Sequence, residues 1–326
     1  MKIIIPAAGI GSRLRPHTHS APKALLYVAG KPILGHILDI AASLKPSEVT
    51  VITGFLGELI VDYVEKHCDC DVRFVEQEEL LGLGYAIYLG IRPGDDEDLL
   101  VILGDTVVDT DWSAMIDRRQ NILAVKAVDD PRRFGVVETD GDRITGIVEK
   151  PEEPRSNLAS VGVYYIKDTQ AFRSALEEVY RSGLRTKGEF QVTDAFDVMM
   201  KRGVELYAHP MDGWYDCGKI ETMLETNRYL LSKLPEAKKN MHIPGNVIVP
   251  PVYISPEATV ENSIIGPNTS VAAGSRITTS IVSDSIISAG ARVENARLNS
   301  SLVGNNALVR GAFKILNVGD SSEIIY

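Results

Sequence analysis

Three cysteines in 326 residues, Cys68, Cys70 and Cys217, are too few for a disulfide framework and lack metal-ligand spacing. A reducing compartment is expected. Histidine is equally sparse: the six are scattered, and none stands in a serine or cysteine motif of the kind that marks nucleophilic catalysis. No apolar run approaches the length that spans a bilayer, and Lys2-Ile3-Ile4-Ile5 before Pro6 is too short for a signal-peptide core. The expectation is a cytoplasmic protein with no membrane partner. Positive charge is in deficit, with 34 Lys and Arg against 44 Asp and Glu and a formal charge of −10. That balance argues against nucleic acid as a partner, because phosphate-backbone binders need a net basic footprint. It leaves small phosphates open, since these need only a few local cations and inward-facing N–H groups.

What is present reads as an ordinary globular chain, 44% apolar and 24% charged, and long enough for two domains. Residues 1–240 alternate short β-branched runs (Lys2 to Pro6, Val49 to Thr53, Val72 to Val75, Leu99 to Leu103) with stretches of helical spacing, such as Ile33, Leu34, Ile37, Leu38, Ala41 and Leu44. This predicts an α/β domain with a doubly wound, mixed but mostly parallel sheet. After Leu123 the strands crowd together (Leu123 to Val128, Phe134 to Glu138, Ile144 to Val148, Val161 to Ile166), as a second lobe built on the same sheet or a plain insertion completing the fold. Residues 241–326 form a second domain of different period. Val271, Ile277, Val282, Ile287, Val293, Leu298, Val303 and Val309 step by fives and sixes, and the frames Asn262-Ser-Ile-Ile-Gly266, Asp284-Ser-Ile-Ile-Ser288 and Ser300-Ser-Leu-Val-Gly304 repeat in side-chain type. A triangular parallel β-helix requires inward aliphatics at that step.

The sharpest feature follows the first strand: Pro6-Ala7-Ala8-Gly9-Ile10-Gly11-Ser12-Arg13-Leu14-Arg15-Pro16, then Pro22-Lys23. A glycine turn at a strand's carboxyl end lets backbone N–H groups approach phosphates closely. Leu14 stands where the dinucleotide fingerprint needs its third glycine, and the Gly-Lys-Ser/Thr of a Walker loop is missing, so both of those readings fall away. Arg13 and Lys23 remain as two cations able to converge on one triphosphate.

The full run Gly9-x-Gly11-Ser12-Arg13-Leu14-x-Pro16-x-Thr18-x-x-x-Pro22-Lys23 resembles the signature of the sugar-phosphate nucleotidylyltransferases, especially the glucose-1-phosphate thymidylyltransferases. The likeness continues, in order, through Gln77, Gly82-Leu83-Gly84, Leu103-Gly104-Asp105, Phe134-Gly135-Val136-Val137, Glu149-Lys150-Pro151 and Trp214-Tyr215-Asp216-Cys217-Gly218, and covers nearly all of residues 1–235. It implies a Rossmann-like nucleotidyltransferase core followed by a left-handed β-helix. It implies transfer of a nucleotidyl group from a nucleoside triphosphate, dTTP or UTP, to a sugar 1-phosphate, with glucose 1-phosphate foremost. The implied nucleotide site comprises Ala8, Gly9, Gly11, Ser12, Arg13, Gln77 and Gly82. The implied sugar-phosphate site comprises Gly135, Glu149, Lys150, Asn157 and Trp214. Asp105 and Asp216 would hold Mg2+, and Arg13, Lys23, Asp105, Lys150 and Asp216 would carry the reaction. Glu189 and Asp194 match a region bordering the sugar. Taken alone, Asp105 also suits a turn, Asp216 a helix N-cap and Gly135 a bulge. The family's Pro-x-Gly reads Leu80-Leu81-Gly82 here, which leaves the choice of base open.

The chemistry agrees with such a residue set. A sugar phosphate is largely dianionic at neutral pH, its second pKa being about 6, so it needs no general base. The obstacle is repulsion: two unit charges about 4 Å apart cost about 4 kcal/mol at an effective dielectric near 20. At about 1.4 kcal/mol per tenfold in rate, relieving one such contact is worth roughly three powers of ten. Two rival readings stand beside the enzyme: a catalytically silent binding paralogue, and a bifunctional enzyme that also transfers acetyl groups. No histidine follows His242 to serve as the acetyl-transfer base, so the β-helix is expected to be a structural or homo-oligomerisation module.

Overall fold

The computed structural model describes residues 1–235 and 242–311. They fall into two compact units, one of Met1–Leu26 with Lys31–Thr226, the other of Tyr27–Gly30 with the chain from Asn227 onward. Up to residue 235 the strands are β1 (Lys2–Pro6), β2 (Tyr27–Val28), β3 (Lys31–Pro32), β4 (Glu48–Thr53), β5 (Val72–Glu76), β6 (Leu99–Ile102), β7 (Thr106–Asp109), β8 (Ile122–Ala127), β9 (Gly135–Asp140), β10 (Arg143–Glu149), β11 (Leu158–Ile166), β12 (Tyr207–Pro210) and β13 (Gly213–Asp216). The α-helices are α1 (Ile33–Ser43), α2 (Gly57–His67), α3 (Leu83–Gly90), α4 (Trp112–Ile116), α5 (Thr169–Ser182), α6 (Val192–Lys201) and α7 (Ile220–Ser232).

In the first unit a nine-stranded sheet has the order β5-β4-β1-β6-β11-β8-β12-β10-β9. The strands β5, β4, β1 and β6 are parallel. β11 opposes both β6 and β8, β12 runs with β8, and β10 opposes both of its neighbours. Only β10 and β11 therefore run against the rest, and the sheet is mixed and mostly parallel, as the strand spacing predicts. The crowded strands after Leu123 extend this same sheet.

Strand alternation explains why the sheet is covered on both faces. Ile4, Ile52, Leu99, Val101, Leu123, Val125, Tyr164 and Ile166 share one core cluster with Ile87 of α3, Phe172 and Leu176 of α5 and Phe196 of α6. The intervening Ile3, Ile5, Val49, Val51, Leu100 and Ile102 are equally buried but outside that cluster, as are Leu34, Ile37 and Leu38 of α1. The helices end by local chemistry: α5 starts where the Asp168 carboxylate accepts from the Ala171 amide at 3.0 Å, and it stops at Gly183, whose φ of 71° is left-handed.

The order of strands decides where a ligand can lie. The chain leaves β1 for β4 and β5 on one side and then returns to β6 on the other. A crevice therefore opens beyond the carboxyl ends of β1 and β6, the position where open α/β sheets bind ligands. The Gly104 amide donates to the Pro6 carbonyl at 3.0 Å, tying the two strand exits together.

The second unit holds three parallel sheets of four short strands each, a left-handed β-helix. Inward Val271, Ile277, Val282, Ile287, Val293 and Val303 are buried in one cluster, and Leu298 and Val309 pack against it. Corners fall at left-handed residues in three columns: Asn262, Thr279 and Asn295; Asn268, Asp284 and Ser300; Gly274, Gly290 and Asn306. Within each column the spacing is 16 or 17 residues, one coil, and the Thr279 and Asn295 amides donate to the Glu261 and Thr278 carbonyls one coil below. Of the three repeated frames, the second and third stack directly, Ile286 on Leu302 and Ile287 on Val303. The first belongs to another face, because its Ile264 stacks on Ile281. The frame thus repeats around the coil as well as along it. Among the described residues no helix is long and apolar enough to cross a membrane.

Candidate active site at the carboxyl edge of the sheet

Two adjoining cavities occupy the crevice. The larger, about 510 Å³, is lined by the loop Pro6 to Ser12, by Gln77, Leu80, Gly82 and Leu83, and by Leu103-Gly104-Asp105. The smaller, about 280 Å³, is walled by Arg13, Arg133, Gly135, Glu149, Lys150, Thr193, Trp214 and Asp216, among others. Lys23, Leu83, Leu103, Asp105 and Glu189 line both.

The larger cavity is shaped by glycines at close approaches. Gly11 has φ 67°, and a Cβ there would stand 2.9 Å from Lys23 Cβ and 3.0 Å from Thr18 Cγ2. Thr18 fixes the turn by donating its hydroxyl to the Gly11 carbonyl at 2.9 Å. Gly82, at φ 114°, would bring a Cβ within 2.8 Å of the Phe190 carbonyl. Gly84 and Phe190 close this seam, with Gly84 N donating to Phe190 O and Phe190 N to Leu81 O, each at 2.8 Å. Buried Gln77 donates one amide N–H to the Gly82 carbonyl at 3.3 Å. Gln77 lines the cavity, and its amide can both donate and accept there.

The acidic centre depends on a small ribbon that the periodicity does not announce. β7 and β13 pair antiparallel, with Asp216 opposite Thr106, and the Cys217 amide donates to the Asp105 carbonyl at 3.0 Å. Two aspartates far apart in sequence thus face one space, and the Lys23 ammonium donates to the Asp105 carboxylate. Burial holds the Asp216 carboxyl above the usual carboxylate range, and the Asp105 charge adds to this; Lys23, Arg133 and Arg13 act in the opposite direction. Beneath them, burial pushes the Cys217 thiol up to about 12, so it is a packed, neutral group bonded to the Thr226 hydroxyl at 3.4 Å.

On the far wall Gly135 pairs in register with Glu149. Lys150 takes a left-handed φ of 44°, donates its amide to the Phe134 carbonyl at 2.9 Å and sets its ammonium 3.1 Å from Glu149 Oε1. The Thr193 hydroxyl donates to Glu149 Oε2 at 3.3 Å. The rings of Phe134 and Trp214 meet edge to face at 4.8 Å, and the Trp214 indole N–H is buried without a partner among the described residues.

Most sequence-predicted residues converge here. Ala8, Gly9, Gly11, Ser12, Gln77 and Gly82 line the larger cavity. Arg13, Gly135, Glu149, Lys150, Trp214 and Asp216 line the smaller, and Lys23 and Asp105 stand between. Arg13 therefore reaches the second cavity rather than the one it was expected to serve. Asn157 lines neither; it is exposed, and its carbonyl accepts from the Val128 amide at 3.0 Å. Asp194 is also off both walls, accepting from the Thr186 hydroxyl at 3.0 Å. Sequence reasoning missed Arg133, Ser160, Gln191 and Thr193. Arg133 directly precedes the Phe134-Gly135 motif, and that adjacency was its only signal.

The sequence model of the nucleotidyl transferase family matches residues 2–233. The chain is similar to a glucose-1-phosphate thymidylyltransferase from Streptomyces antibioticus, at 31% identity over 99% of both chains. It is 35% identical, over 76% of its length, to the bifunctional protein GlmU of Methanocaldococcus jannaschii, of which the match spans 60%. Among solved structures, a UDP-glucose pyrophosphorylase complexed with UDP-glucose superposes with a TM-score of 0.61 at 25% identity, covering 72% of this chain and 99% of the other.

Proposed function

This chain belongs to the nucleotidyl transferase family, and from that premise we propose that it condenses dTTP or UTP with a sugar 1-phosphate, glucose 1-phosphate foremost, giving a nucleoside diphosphate sugar and pyrophosphate. One observation carries the reading: two cavities of nucleotide and sugar size meet at Lys23 and Asp105, with Arg13, Lys150 and Asp216 on the adjoining wall. In this reaction a phosphate oxygen of the sugar attacks the α-phosphorus, the bond from that phosphorus to the bridging oxygen breaks, and pyrophosphate leaves. The incoming oxygen is already anionic, so the residues have only to hold two polyanions together.

The triphosphate lies along the glycine loop, where the N–H groups of Ala8 to Ser12 and the Lys23 ammonium meet its charge, and Gln77 reads the base edge. Glu149 accepts from sugar hydroxyls, Gly135 leaves the ring room, and Lys150 holds the sugar's phosphate. Asp105 and Asp216 suit Mg2+: they are hard oxygen donors, and burial and mutual repulsion favour a cation between them. When bound there, Mg2+ supplies charge neutralisation at the reacting phosphates. A thymidylyltransferase relative aligned end to end and a structural neighbour holding UDP-glucose support a pyrimidine nucleotide. A column of exposed aliphatics on one β-helix face, Val247, Ile264 and Ile281, supports a homo-oligomer. The cysteine count supports a cytoplasmic location.

The test is pyrophosphate release from a matrix of four triphosphates against several sugar 1-phosphates in Mg2+. Turnover with dTTP or UTP and glucose 1-phosphate is expected. Silence across the whole matrix would favour a binding paralogue, and consumption of acetyl-CoA would favour the bifunctional alternative.

A further inference from the structure

The turn before β9 places two arginines side by side with different fates. Arg132 is paired: its Nε and Nη2 donate to the two carboxylate oxygens of Asp130 at 2.7 and 2.9 Å. That fork draws the Asp130 carboxyl down to about 2, and it occupies the acid nearest in sequence to Arg133. Arg133 is exposed, lies over the Phe134 ring at 5.6 Å, and makes no ion pair or hydrogen bond among the described residues. Phe134 is itself braced by Trp214. The ring contact uses none of the guanidinium's N–H donors, and Arg133 forms part of the wall of the smaller cavity.

Position selects the ligand. Arg133 borders the cavity that contains Gly135, Glu149 and Lys150, and it is not on the wall of the larger one. The Lys150 ammonium is shared with Glu149, so a dianionic phosphate in this cavity has donor capacity still to fill. A planar guanidinium fork is the group that matches phosphate oxygens in pairs.

We propose that Arg133 is a substrate-binding residue that holds the phosphate of the sugar 1-phosphate together with Lys150, and so sets affinity for the sugar substrate rather than for the triphosphate. The assignment of that cavity to the sugar phosphate rests on the proposed function above. The experiment compares wild type, Arg133→Ala and Arg133→Lys in the full chain, by calorimetric titration with glucose 1-phosphate and by steady-state kinetics with dTTP and UTP. A lost charge-assisted contact weakens Kd and KM for glucose 1-phosphate by about tenfold or more in Arg133→Ala. Arg133→Lys recovers part of this, and KM for the triphosphate stays within about twofold. An unchanged sugar-phosphate affinity, or a loss that falls on the triphosphate instead, overturns the proposal. Because the side chain is exposed, urea unfolding should be the same for all three proteins, which separates a binding loss from misfolding. Wild type that binds glucose 1-phosphate yet releases no pyrophosphate would sink the nucleotidyl-transfer reading while leaving the Arg133 comparison intact. If wild type binds no glucose 1-phosphate, the titration is repeated with inorganic phosphate, and binding that does not depend on Arg133 overturns the proposal.

Discussion

Replacing Gly135 by alanine tests how tightly the sugar side of the site is built. A Cβ at this position would stand 2.8 Å from Thr193 Cγ2 and 3.3 Å from Glu149 Oε2, where carbon contacts prefer about 3.5–4.0 Å. Gly135 is not among the positive-φ residues, so the strain is purely steric. Overpacking of this kind costs about 1–3 kcal/mol, and the stiffer unfolded chain returns about 0.4–1 kcal/mol. A net loss of about 1–2 kcal/mol is expected. Thr193→Ser alone removes a buried methyl group and costs about 0.8 kcal/mol. It retains the hydroxyl that donates to Glu149, yet it removes the atom that a new Cβ would strike. The double variant should therefore lose no more than about 1 kcal/mol, a favourable coupling of about 1–2 kcal/mol in a double-mutant cycle. Urea unfolding of the four proteins measures it. Kinetics give an independent reading: Gly135→Ala should raise KM for the sugar 1-phosphate by displacing Glu149, Thr193→Ser should restore it, and KM for the triphosphate should not move. Simple additivity of the two substitutions would refute the packing argument.

Other expectations follow from the same geometry. Lys23→Ala leaves Asp105 without its cation and both cavities without their shared positive charge, so kcat/KM should fall about a thousandfold, as scaled by one unrelieved phosphate contact; a fall under about tenfold would remove Lys23 from the site's chemistry. Chelation by EDTA should stop pyrophosphate release and added Mg2+ should restore it, with Asp105→Asn and Asp216→Asn each blunting the recovery. Asp194 gives a pH test away from the chemistry. Burial raises its carboxyl above the ordinary range, Asp197 adds to the rise, and its Oδ2 is buried without a partner among the described residues. A raised folded-state pKa means that the native state binds the proton more tightly than the unfolded chain. Stability from this group is therefore present below the ordinary carboxylate pKa of about 4 and is lost as pH rises through the folded value. Asp194→Asn should flatten that decline and leave the protein at least as stable near neutrality, as read by unfolding curves from acid to neutral pH.

Much of this was legible in the chain itself, for reasons that differ from element to element. The parallel strands β1, β4 and β6 are short β-branched runs bounded by turn residues, because a strand buried on both faces has no polar alternation to hide behind. The β-helix announced itself because every coil needs an inward aliphatic at the same step. Most of its corners carry Asn, Asp or Gly at left-handed positions, with Thr279 and Ser300 the exceptions. The glycine loop and Asp105 were readable because each lies just beyond a strand end, and Lys23 because it closes the motif that the glycine loop opens.

Other features exist only through pairing at a distance. β7 and β13 are four-residue strands with no periodic signature, yet their register sets Asp216 against Thr106 and so beside Asp105. Residues 27–30, early in the chain, belong to the second unit: the Ala29 amide donates to Asn227 Oδ1 at 3.0 Å, and Tyr253 fills the space that a Cβ on Gly30 would need. Arg133 lines the smaller cavity while the neighbouring Asp130 pairs with Arg132, an arrangement that the sequence Asp130-Pro-Arg-Arg133 leaves open. Local sequence decides what each segment can become, because backbone preference and burial period are properties of neighbouring residues. Which charge is left unpaired in a cleft depends on every other charge within a few ångströms, and that is settled when the chain has folded.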